Sequence, residues 1–443
     1  MTSHSPPYVK TRTYWLETYG CQMNKAESAA LERDLQANGF SPAAGPQSAD
    51  VVLLNTCAVR KTAEDRIWGR LGFYRHLKKE RPFTLAVLGC MSERLKENLS
   101  AAAPEVDVVI GTFGKRELVE RLQGQNPAPT PAEEAEIYHF APLHSLGATK
   151  ALLPVMHGCD NFCSYCIVPH VRGRERSRAP AEILAEIAVL EREGAREVTL
   201  LGQNVNSYRY SEDGREILFP DLLDMIEERL VKIRWVRFLT SHPKDCSAAL
   251  IERLCSSSVL CPHLHLPVQH GSNRILSLMN RGYTREQYLA LIDAVKMKVS
   301  DISITTDILI GFPTETEDDL AATVSLMEEV GFDDAYTYYY NPREGTRAYD
   351  FGDTVGQKEK LARLGTVIEV GRRLKAERLA ERIGKKARVL VEGTSRKAAH
   401  ELLGRTEHDE MVVFPGGREL IGGFVDVILQ SLNGTTFRGQ LCT

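Results

Sequence analysis

Short apolar runs alternate with amphipathic stretches along the first part of the chain. Four runs have the composition of buried strands, and they lie in TYWLETYG, DVVLLNTC, TLAVLGC and VDVVIG. The stretches KAESAALERDLQANGF and KTAEDRIWGRLGFYRHLKKE have helical spacing, and Gly39 is the expected stop of the first. Strands that alternate with helices predict a mostly parallel, doubly wound sheet.

From residue 150 the alternation resumes with longer helices. Six apolar runs are candidate strands: LLPVMH, EVTLLG, RWVRFL, HLHLPV, ISITTDILIG and AYTYYY. Helical stretches such as PAEILAEIAVLEREG separate them, which favours a partial (βα)6 barrel over a closed eightfold one. The polar run KEKLARLGTVIEVGRRLKAERLAERIGK then predicts an exit helix, and the short strands after it predict a small β-barrel.

These patterns predict an α/β protein with three domains. The boundaries are 13–125 for the parallel-sheet domain, 126–149 for a linker rich in Pro, Ala and Glu, 150–380 for the barrel with its exit helix, and 381–443 for the small β-barrel. The chain has 443 residues, begins without an apolar leader and contains no apolar run long enough for a membrane span. We therefore expect a cytoplasmic protein.

Charge and cysteine content narrow the candidate chemistry. The formal net charge of -4 does not indicate nucleic-acid binding, but local basic patches would still allow it. Ten cysteines in a chain without an export signal indicate metal binding or redox chemistry rather than a disulfide framework. Cys246, Cys255, Cys261 and Cys442 follow no pattern and are interpreted as packing residues.

Three cysteines follow the first predicted barrel strand. Cys159, Cys163 and Cys166 form a C-x3-C-x2-C motif where such barrels carry their chemistry, at the carboxyl end of the strands. Three thiolates suit an iron–sulfur cluster that keeps one iron open. A zinc site completed by His157 or His170 is the alternative.

Three further cysteines each follow a strand of the predicted parallel sheet. Cys21, Cys57 and Cys90 end the segments YWLETYGC, DVVLLNTC and TLAVLGC. Buried cysteines that act as small apolar residues would be the simpler interpretation. Because the carboxyl ends of parallel strands meet at one edge, we instead expect the three thiols to converge there on a second cluster with an open iron.

The sequence resembles one family, the methylthiotransferases of the radical S-adenosylmethionine superfamily. The resemblance runs from about residue 13 to the end of the chain. Its motifs are ETYGCQMN, LLNTCAVR, VLGCMSER, GCDNFCSYCIVPHVRGRERSR, VTLLGQNVNSY, TSHPKD, HLHLPVQHGSNRILSLMNRGYTRE, TTDILIGFPTETEDD and GRTEHDEMVVFP. The last region is similar to the TRAM domain, an RNA-binding β-barrel. One departure is His270 in PVQHGS, where many members have serine.

The resemblance implies the cofactors and part of the site. It implies two 4Fe-4S clusters with three cysteine ligands each, one on Cys159, Cys163 and Cys166 and one on Cys21, Cys57 and Cys90. It also implies that S-adenosylmethionine binds the open iron of the first cluster and that Tyr165 packs against the adenine of this cofactor. Polar residues on or after the predicted barrel strands are further candidates for the site: Gln203, Asn204, Ser241, His242, Gln269, His270 and Asp307. Capping of a helix is the alternative for each of them, and we expect the two histidines to be structural or hydrogen-bonding residues rather than ligands.

Basic residues in two regions are candidates for contact with RNA phosphates. Arg172, Arg174, Arg176 and Arg178 follow the cysteine loop, where arginine would pair with phosphate in a bidentate manner, although a solvated face is the commoner origin of such a run. The last domain adds a modest basic surface, formed by Lys385, Lys386, Arg388, Arg396, Lys397 and Arg405.

The implied reaction is insertion of a methylthio group at carbon 2 of N6-isopentenyladenosine, at position 37 beside the tRNA anticodon. TYGCQMN, RGRERSR and TSHPKD favour this subgroup over those that act on threonylcarbamoyl-adenosine or on a ribosomal protein. A zinc- and RNA-binding module without catalysis is the alternative from another class. The expected partners are tRNA and an electron donor such as a flavodoxin or ferredoxin, and we expect a monomer.

Overall fold

A computed structural model describes residues 12–59, 61–125, 149–395, 398 and 400–442. They form two compact units. The first unit contains the described residues up to 125 together with Ile167–Arg174, and the second contains the rest. The predicted linker lies outside the described residues except for its last position, and so do Arg396 and Lys397. Among the described residues, no helix is long and apolar enough to cross a membrane.

The first unit is built on a parallel sheet. Its strands are β1 Thr13–Thr18, β2 Ser41–Pro42, β3 Val51–Thr56, β4 Thr84–Gly89 and β5 Val108–Ile110. They lie in the order β2-β1-β3-β4-β5, and every neighbouring pair is parallel. All residues of β3 are buried, as expected for a central strand covered on both faces.

Helices cover the two faces of this sheet. They are α1 Gln22–Ala37, α2 Lys61–Glu80, α3 Cys90–Leu95, α4 Glu97–Ala102, α5 Leu118–Leu122 and α6 Val168–Arg172. Leu71 of α2 and Val52 belong to the apolar core on one face, whereas Leu31 of α1 and Val51 belong to the core on the other. The predicted doubly wound sheet is therefore confirmed.

Helix α6 differs from the prediction, because the boundary 150–380 assigned it to the barrel domain. Ile167 and Val171, four positions apart and thus on one helical face, pack with Ala58 and Cys90 in a small buried cluster. This apolar contact places the short helix in the first unit.

The second unit contains the predicted barrel. Its strands before the exit helix are β6 Lys150–Pro154, β7 Met156–His157, β8 Arg176–Ser177, β9 Glu197–Leu201, β10 Arg209–Glu212, β11 Arg215–Leu218, β12 Trp235–Phe238, β13 His263–His265, β14 Ser303–Ile310 and β15 Asp334–Tyr339. Parallel pairing links β6-β9-β12 and β13-β14-β15, and one parallel bridge, Val236 to Leu260, joins the two groups. The partial six-stranded barrel is confirmed.

Helices follow the barrel strands. They are α7 Pro180–Arg192, α8 Phe219–Arg229, α9 Ala248–Ser256, α10 Asn273–Leu278, α11 Arg285–Lys298, α12 Glu317–Val330, α13 Arg347–Asp350 and the exit helix α14 Gln357–Ala380. Reciprocal capping boxes start two of them: Thr284 with Gln287, and Thr316 with Asp319. The sequence patterns do not locate α8, α9, α10, α13 or the β10–β11 hairpin.

The end of the chain forms a closed five-stranded barrel. Its strands are β16 Lys386–Thr394, β17 Glu401–Thr406, β18 Met411–Pro415, β19 Phe424–Asn433 and β20 Thr436–Leu441, in the order β16-β17-β18-β20-β19. Arg237 of β12 donates to the carbonyl oxygens of Thr406 and Glu407, and Trp235 packs edge-on against Phe424. The small barrel is thus fixed to the larger one within the second unit.

Candidate functional site

Cys21, Cys57 and Cys90, which we call the N-terminal cysteine set, follow three adjacent strands of the first unit. Strand pairing sets Thr18 of β1 opposite Asn55 of β3, and Thr56 opposite Gly89 of β4. The three chains therefore leave the sheet at the same edge. Gly20 makes this approach possible: its φ is +127°, and a Cβ there would lie 2.5 Å from the Cβ of Cys57.

The N-terminal cysteine set combines burial with close electrostatic contact. Cys57 and Cys90 are each 1% exposed, whereas Cys21 is exposed. Burial, together with the neighbouring Cys21 and Cys90, raises the pKa of the Cys57 thiol to about 12. Three such thiols can ionise together only if a positive metal centre takes up their charge.

Arg172 of α6 lies against this set. Its Nε donates to the sulfur of Cys90 at 3.2 Å, and its Nη1 lies 2.9 Å from Oε1 of Glu27. Arg172 is 2% exposed. The guanidinium is buried against a carboxylate and a sulfur, which does not support the sequence-based prediction that Arg172 contacts RNA phosphate; that contact stays a prediction.

Cys159, Cys163 and Cys166, the loop cysteine set, lie in the loop after β7 in the second unit. The loop is held by the segment after α10. The backbone N–H of Ser164 donates to the carbonyl of Met279 at 2.9 Å, and the side-chain amide of Asn280 donates to the carbonyls of Asn161 and Phe162 at 3.3 and 3.0 Å. These contacts fix the backbone on which the three thiols are mounted.

Arg281 repeats, in the second unit, the contact that Arg172 makes in the first. It is 4% exposed, its Nη1 donates to the sulfur of Cys163 at 3.3 Å, and its Nη2 donates to the carbonyl of Pro267 at 2.7 Å. Burial raises the pKa of the neighbouring Cys159 thiol to about 11. Asn280 and Arg281 lie in one of the motifs that carry the family resemblance, but the sequence pattern assigns neither of them a role. The available signal is a polar Asn-Arg-Gly turn directly after an apolar helix.

Both cysteine sets fit an iron–sulfur cluster. Each offers three soft thiols and an arginine N–H directed at one sulfur, and the backbone N–H of Val59 adds a contact to Cys57 at 3.4 Å. Within the described residues, no three His, Cys, Asp or Glu side chains are arranged to hold a single metal ion. A four-iron cluster binds its cysteines at different irons and needs more widely separated sulfurs than a zinc ion does.

Of the predicted cofactor-binding residues, Gln203 and Asn204 follow β9, Gln269 follows β13, and Asp307 lies within β14. Oε1 of Gln203 accepts from the backbone N–H of Gly158 at 2.6 Å, beside the loop cysteine set. Asn204 is buried and donates to Asp245 at 2.7 Å, while its Oδ1 has no hydrogen-bond partner among the described residues. Gln269 adopts a φ of +73° and pairs through its backbone with β14, and the carboxylate of Asp307 lies 3.6 Å from His265.

Two neighbouring polar residues after β12 are also buried without full pairing. Ser241 Oγ and His242 Nε2 have no hydrogen-bond partner in the part of the chain that the structure describes. Burial, reinforced by Arg281 and Lys244, lowers the pKa of His242 to about 2, so the ring is neutral at physiological pH. Since its Nδ1 accepts from the N–H of Lys244 at 3.3 Å, the proton is on Nε2, which is available to a ligand acceptor.

His270 and Tyr165 have clear structural surroundings. His270 is fully buried, with Nε2 at 3.2 Å from Glu315, and its Nδ1 accepts from the N–H of Ser272 at 3.0 Å. The departure from serine at this position therefore has a structural role. Tyr165 is half-buried, packs against an apolar cluster that includes Phe312, and its hydroxyl lies 3.4 Å from Arg281. Its contact with adenine stays a prediction.

The remaining basic candidates differ in exposure. Arg178 is 7% exposed and its Nη1 lies 2.5 Å from Glu186, which does not support the predicted phosphate contact of this residue; that contact stays a prediction. Arg174 and Arg176 are exposed. In the small barrel Lys385, Lys386 and Arg388 are exposed, with Lys386 paired to Asp426, while Arg405 is half-buried against Asp409. Phosphate contact by these last six residues stays a prediction.

Three family models match consecutive parts of the chain. They are the uncharacterized protein family UPF0004 over residues 13–111, the radical SAM superfamily over residues 153–327 and the TRAM domain over residues 380–442. The first covers the N-terminal cysteine set, the second covers the loop cysteine set, and the third covers the closed five-stranded barrel.

Curated relatives match almost the whole chain. Proteins named tRNA-2-methylthio-N(6)-dimethylallyladenosine synthase include one from Treponema denticola, 46% identical over 97% of this chain and 100% of its own length. Another, from Bacteroides fragilis, is 43% identical over 96% of this chain and 95% of its own length. A third, from Staphylococcus epidermidis, is 41% identical over 96% of this chain and 85% of its own length.

Solved structures share the fold at low identity. The radical S-adenosylmethionine methyltransferase TsrM from Kitasatospora setae, with tryptophan substrate and a SAM analog bound, superposes with a TM-score of 0.57. It is 14% identical, and the match covers 76% of this chain and 75% of that one. At this identity the likeness concerns the fold alone.

Proposed function

Because the chain belongs to the family of the tRNA-2-methylthio-N(6)-dimethylallyladenosine synthases, we propose that it inserts a methylthio group at carbon 2 of N6-isopentenyladenosine at position 37 of tRNA. The observation that carries the proposal is the presence of two cysteine sets of three, each at the strand ends of its own α/β unit. Other members of the wider family modify threonylcarbamoyl-adenosine or a ribosomal protein, and these are the competing substrates.

The two cysteine sets divide the work in this proposal. The loop cysteine set holds the cluster that binds S-adenosylmethionine, and the N-terminal cysteine set holds a second 4Fe-4S cluster beside which sulfur is donated. When bound, these groups supply the radical that removes hydrogen from an unactivated carbon and the sulfur that replaces it. Three cysteines for each cluster leave one iron free for the cofactor or the donated sulfur.

The residues around the loop cysteine set hold the loop and offer polar atoms to ligands. Asn280 and Arg281 keep the loop in one conformation, and Gln203 holds the N–H of Gly158 at the start of the loop. The unpaired Oδ1 of Asn204 and Nε2 of His242 are an acceptor and a donor in buried surroundings, where a ligand partner recovers the cost of desolvation. We assign these atoms to binding S-adenosylmethionine or the adenosine substrate.

Substrate tRNA is held through its phosphates in this proposal. Arg174 and Arg176 beside the cysteine loop, and Lys385, Lys386 and Arg388 on the small barrel, present exposed cations suited to backbone contact. The target base must leave its stack in the anticodon loop to reach a buried site. A flavodoxin or ferredoxin as electron donor, a monomeric state and a cytoplasmic location belong to the same proposal.

Mass spectrometry of tRNA nucleosides tests the substrate. A strain that lacks this gene should lose 2-methylthio-N6-isopentenyladenosine and accumulate N6-isopentenyladenosine, and the native gene should restore the product. If 2-methylthio-N6-isopentenyladenosine persists and the methylthio form of threonylcarbamoyl-adenosine is lost instead, the chain belongs to the competing subgroup. Anaerobic reconstitution should yield about eight irons and about eight sulfides per chain, as two four-iron clusters require.

A further inference from the structure

A buried group of charges adjoins the N-terminal cysteine set. Arg172 and Lys115 both pair with Glu27: Nη1 of Arg172 lies 2.9 Å from Oε1, and Nζ of Lys115 lies 2.6 Å from Oε2. The side chains of Arg172 and Glu27 are 3% and 1% exposed, and that of Lys115 is 13% exposed. Burial alone would raise the pKa of Glu27, but the two cations hold it well below its usual range.

Among the described residues, the guanidinium of Arg172 contacts both Glu27 and Cys90. Its Nη atoms face the carboxylate of Glu27, at 2.9 and 3.3 Å, while Nε donates to the sulfur of Cys90 at 3.2 Å. Only the planar fork of arginine can make both contacts at once, since a lysine has a single ammonium. The carboxylate thus sets the orientation in which the remaining N–H points at sulfur.

Arg172 is held in place from its own backbone as well. Helix α6 is anchored by Ile167 and Val171, which pack with Ala58 and with Cys90 itself. The helix ends at Gly173, whose φ is +71° and where a Cβ would lie 3.3 Å from the ring of Phe113. The donor and the sulfur are therefore parts of one packed cluster, and their distance is not set by a flexible surface side chain.

We propose that Arg172 is a positioning residue that tunes the second cluster: its N–H bond to Cys90 makes the cluster on the N-terminal cysteine set easier to reduce, and Glu27 sets the strength of this effect. This inference rests on the proposed function, which places a cluster there. Hydrogen bonds to the cysteine sulfurs and nearby positive charge are among the factors that raise the reduction potential of iron–sulfur clusters. Two cations face one carboxylate here, so the buried group complements the negative charge that three thiolates bring.

The test measures the potential of this cluster alone. In a chain with Cys159, Cys163 and Cys166 replaced by alanine, the reconstituted cluster is titrated anaerobically and followed by electron paramagnetic resonance. Arg172→Lys keeps the positive charge but loses the N–H that is directed at sulfur. At a fixed potential, the ratio of oxidised to reduced cluster should therefore rise at least tenfold. For a one-electron couple this corresponds to a reduction potential that is lower by about 59 mV. Arg178→Lys is the matched control, a buried arginine paired with a glutamate away from sulfur, and it should leave the potential unchanged.

Glu27→Gln should shift the reduction potential in the opposite direction. It keeps the inference testable if the Arg172 variant does not fold. Glu27→Gln removes the negative charge that faces Arg172 and Lys115, so the local field becomes more positive and the potential should rise. A merely structural role would move both variants together or neither. A loaded cluster with an unchanged potential in Arg172→Lys, or an unchanged or lowered potential in Glu27→Gln, overturns the inference. If the parent chain with the three alanines binds no cluster at all, the result would instead contradict the second cluster of the proposed function.

Discussion

Arg281 donates a hydrogen bond to the sulfur of Cys163 at 3.3 Å, across 118 positions of sequence. The same guanidinium donates to the carbonyl of Pro267, two residues after β13, so one side chain ties the cysteine loop to the barrel. The arrangement matches that of Arg172 and Cys90 in the first unit. Each cysteine set thus has one sulfur in contact with a buried arginine.

Replacement of Arg281 by alanine should impair the loop cysteine set selectively. The change removes the hydrogen bonds to Cys163 and Pro267, and hydrogen bonds that involve a charged group contribute about 1.5–3 kcal/mol. We expect a lower melting temperature, loss of iron towards about four atoms per chain, and little S-adenosylmethionine cleavage. Arg274→Ala, a control on an exposed arginine of α10, should retain full iron; equal loss in both variants would contradict the assignment.

Single cysteine replacements should separate the two halves of the reaction. Cys57→Ala should abolish methylthio product while cleavage of S-adenosylmethionine to 5'-deoxyadenosine continues, because the loop cysteine set is intact. Cys163→Ala should abolish both. The measurements are chromatographic assays of 5'-deoxyadenosine and of the modified nucleoside in one anaerobic reaction. Loss of both activities from Cys57→Ala, in a protein that keeps its loop cluster, would contradict the proposed division.

Gly20→Ala should damage the N-terminal cysteine set through a steric contact. Gly20 and Gly39 both adopt positive φ, so alanine at either should cost about 1 kcal/mol or more in backbone strain. At Gly20 the new Cβ would lie 2.5 Å from the Cβ of Cys57, whereas at Gly39 it would have no neighbour within 4 Å among the described residues. Iron analysis should show a loss towards about four atoms for Gly20→Ala and full loading for the matched Gly39→Ala. Equal loading would show that the contact with Cys57 is tolerated.

The positions of the six cysteines in the two sets follow from local pattern, whereas the arginines that contact two of them do not. Cys21, Cys57 and Cys90 each follow an apolar strand, and parallel pairing then brings the strand ends together. Whether an arginine is exposed depends on a distant partner: Glu27 is 145 positions from Arg172. A run of alternating arginines therefore looks like one basic surface although two of its four members are buried.

Glu17 should make the first unit sensitive to acid. Burial would raise the pKa of its carboxyl, but hydrogen bonds from Arg70, Tyr19, Tyr74 and Trp15 lower it to about 2. Because the pKa of Glu17 is lower in the folded state than in the unfolded state, its ionised carboxylate stabilises the fold above about pH 4.5. This stabilisation is lost as the pH falls towards 2. A shift of this size corresponds to about 3 kcal/mol.

Urea unfolding of the native protein and of Glu17→Gln, compared between pH 6 and pH 3, measures this contribution. The native protein should be more stable than the variant at pH 6, and the gap should narrow as the pH falls. A gap that stays constant over this range would mean that the carboxylate charge of Glu17 adds nothing to the stability of the fold.

Arg176 and Arg178, two positions apart, should respond to alanine in opposite ways. Arg176 is exposed, so its loss should leave the melting temperature unchanged but weaken tRNA binding. If it contacts one phosphate, the slope of log affinity against log salt concentration should fall by about 0.7–0.9.

Arg178 is buried against Glu186, and removing one partner of a buried pair costs about 3–5 kcal/mol. Its loss should therefore lower the melting temperature and, at temperatures where the protein stays folded, leave the salt slope as in the native chain. Fluorescence anisotropy with a labelled anticodon stem–loop at several salt concentrations measures the slope, and an equal change of slope in both variants would mean that burial in the free protein does not keep Arg178 from the RNA.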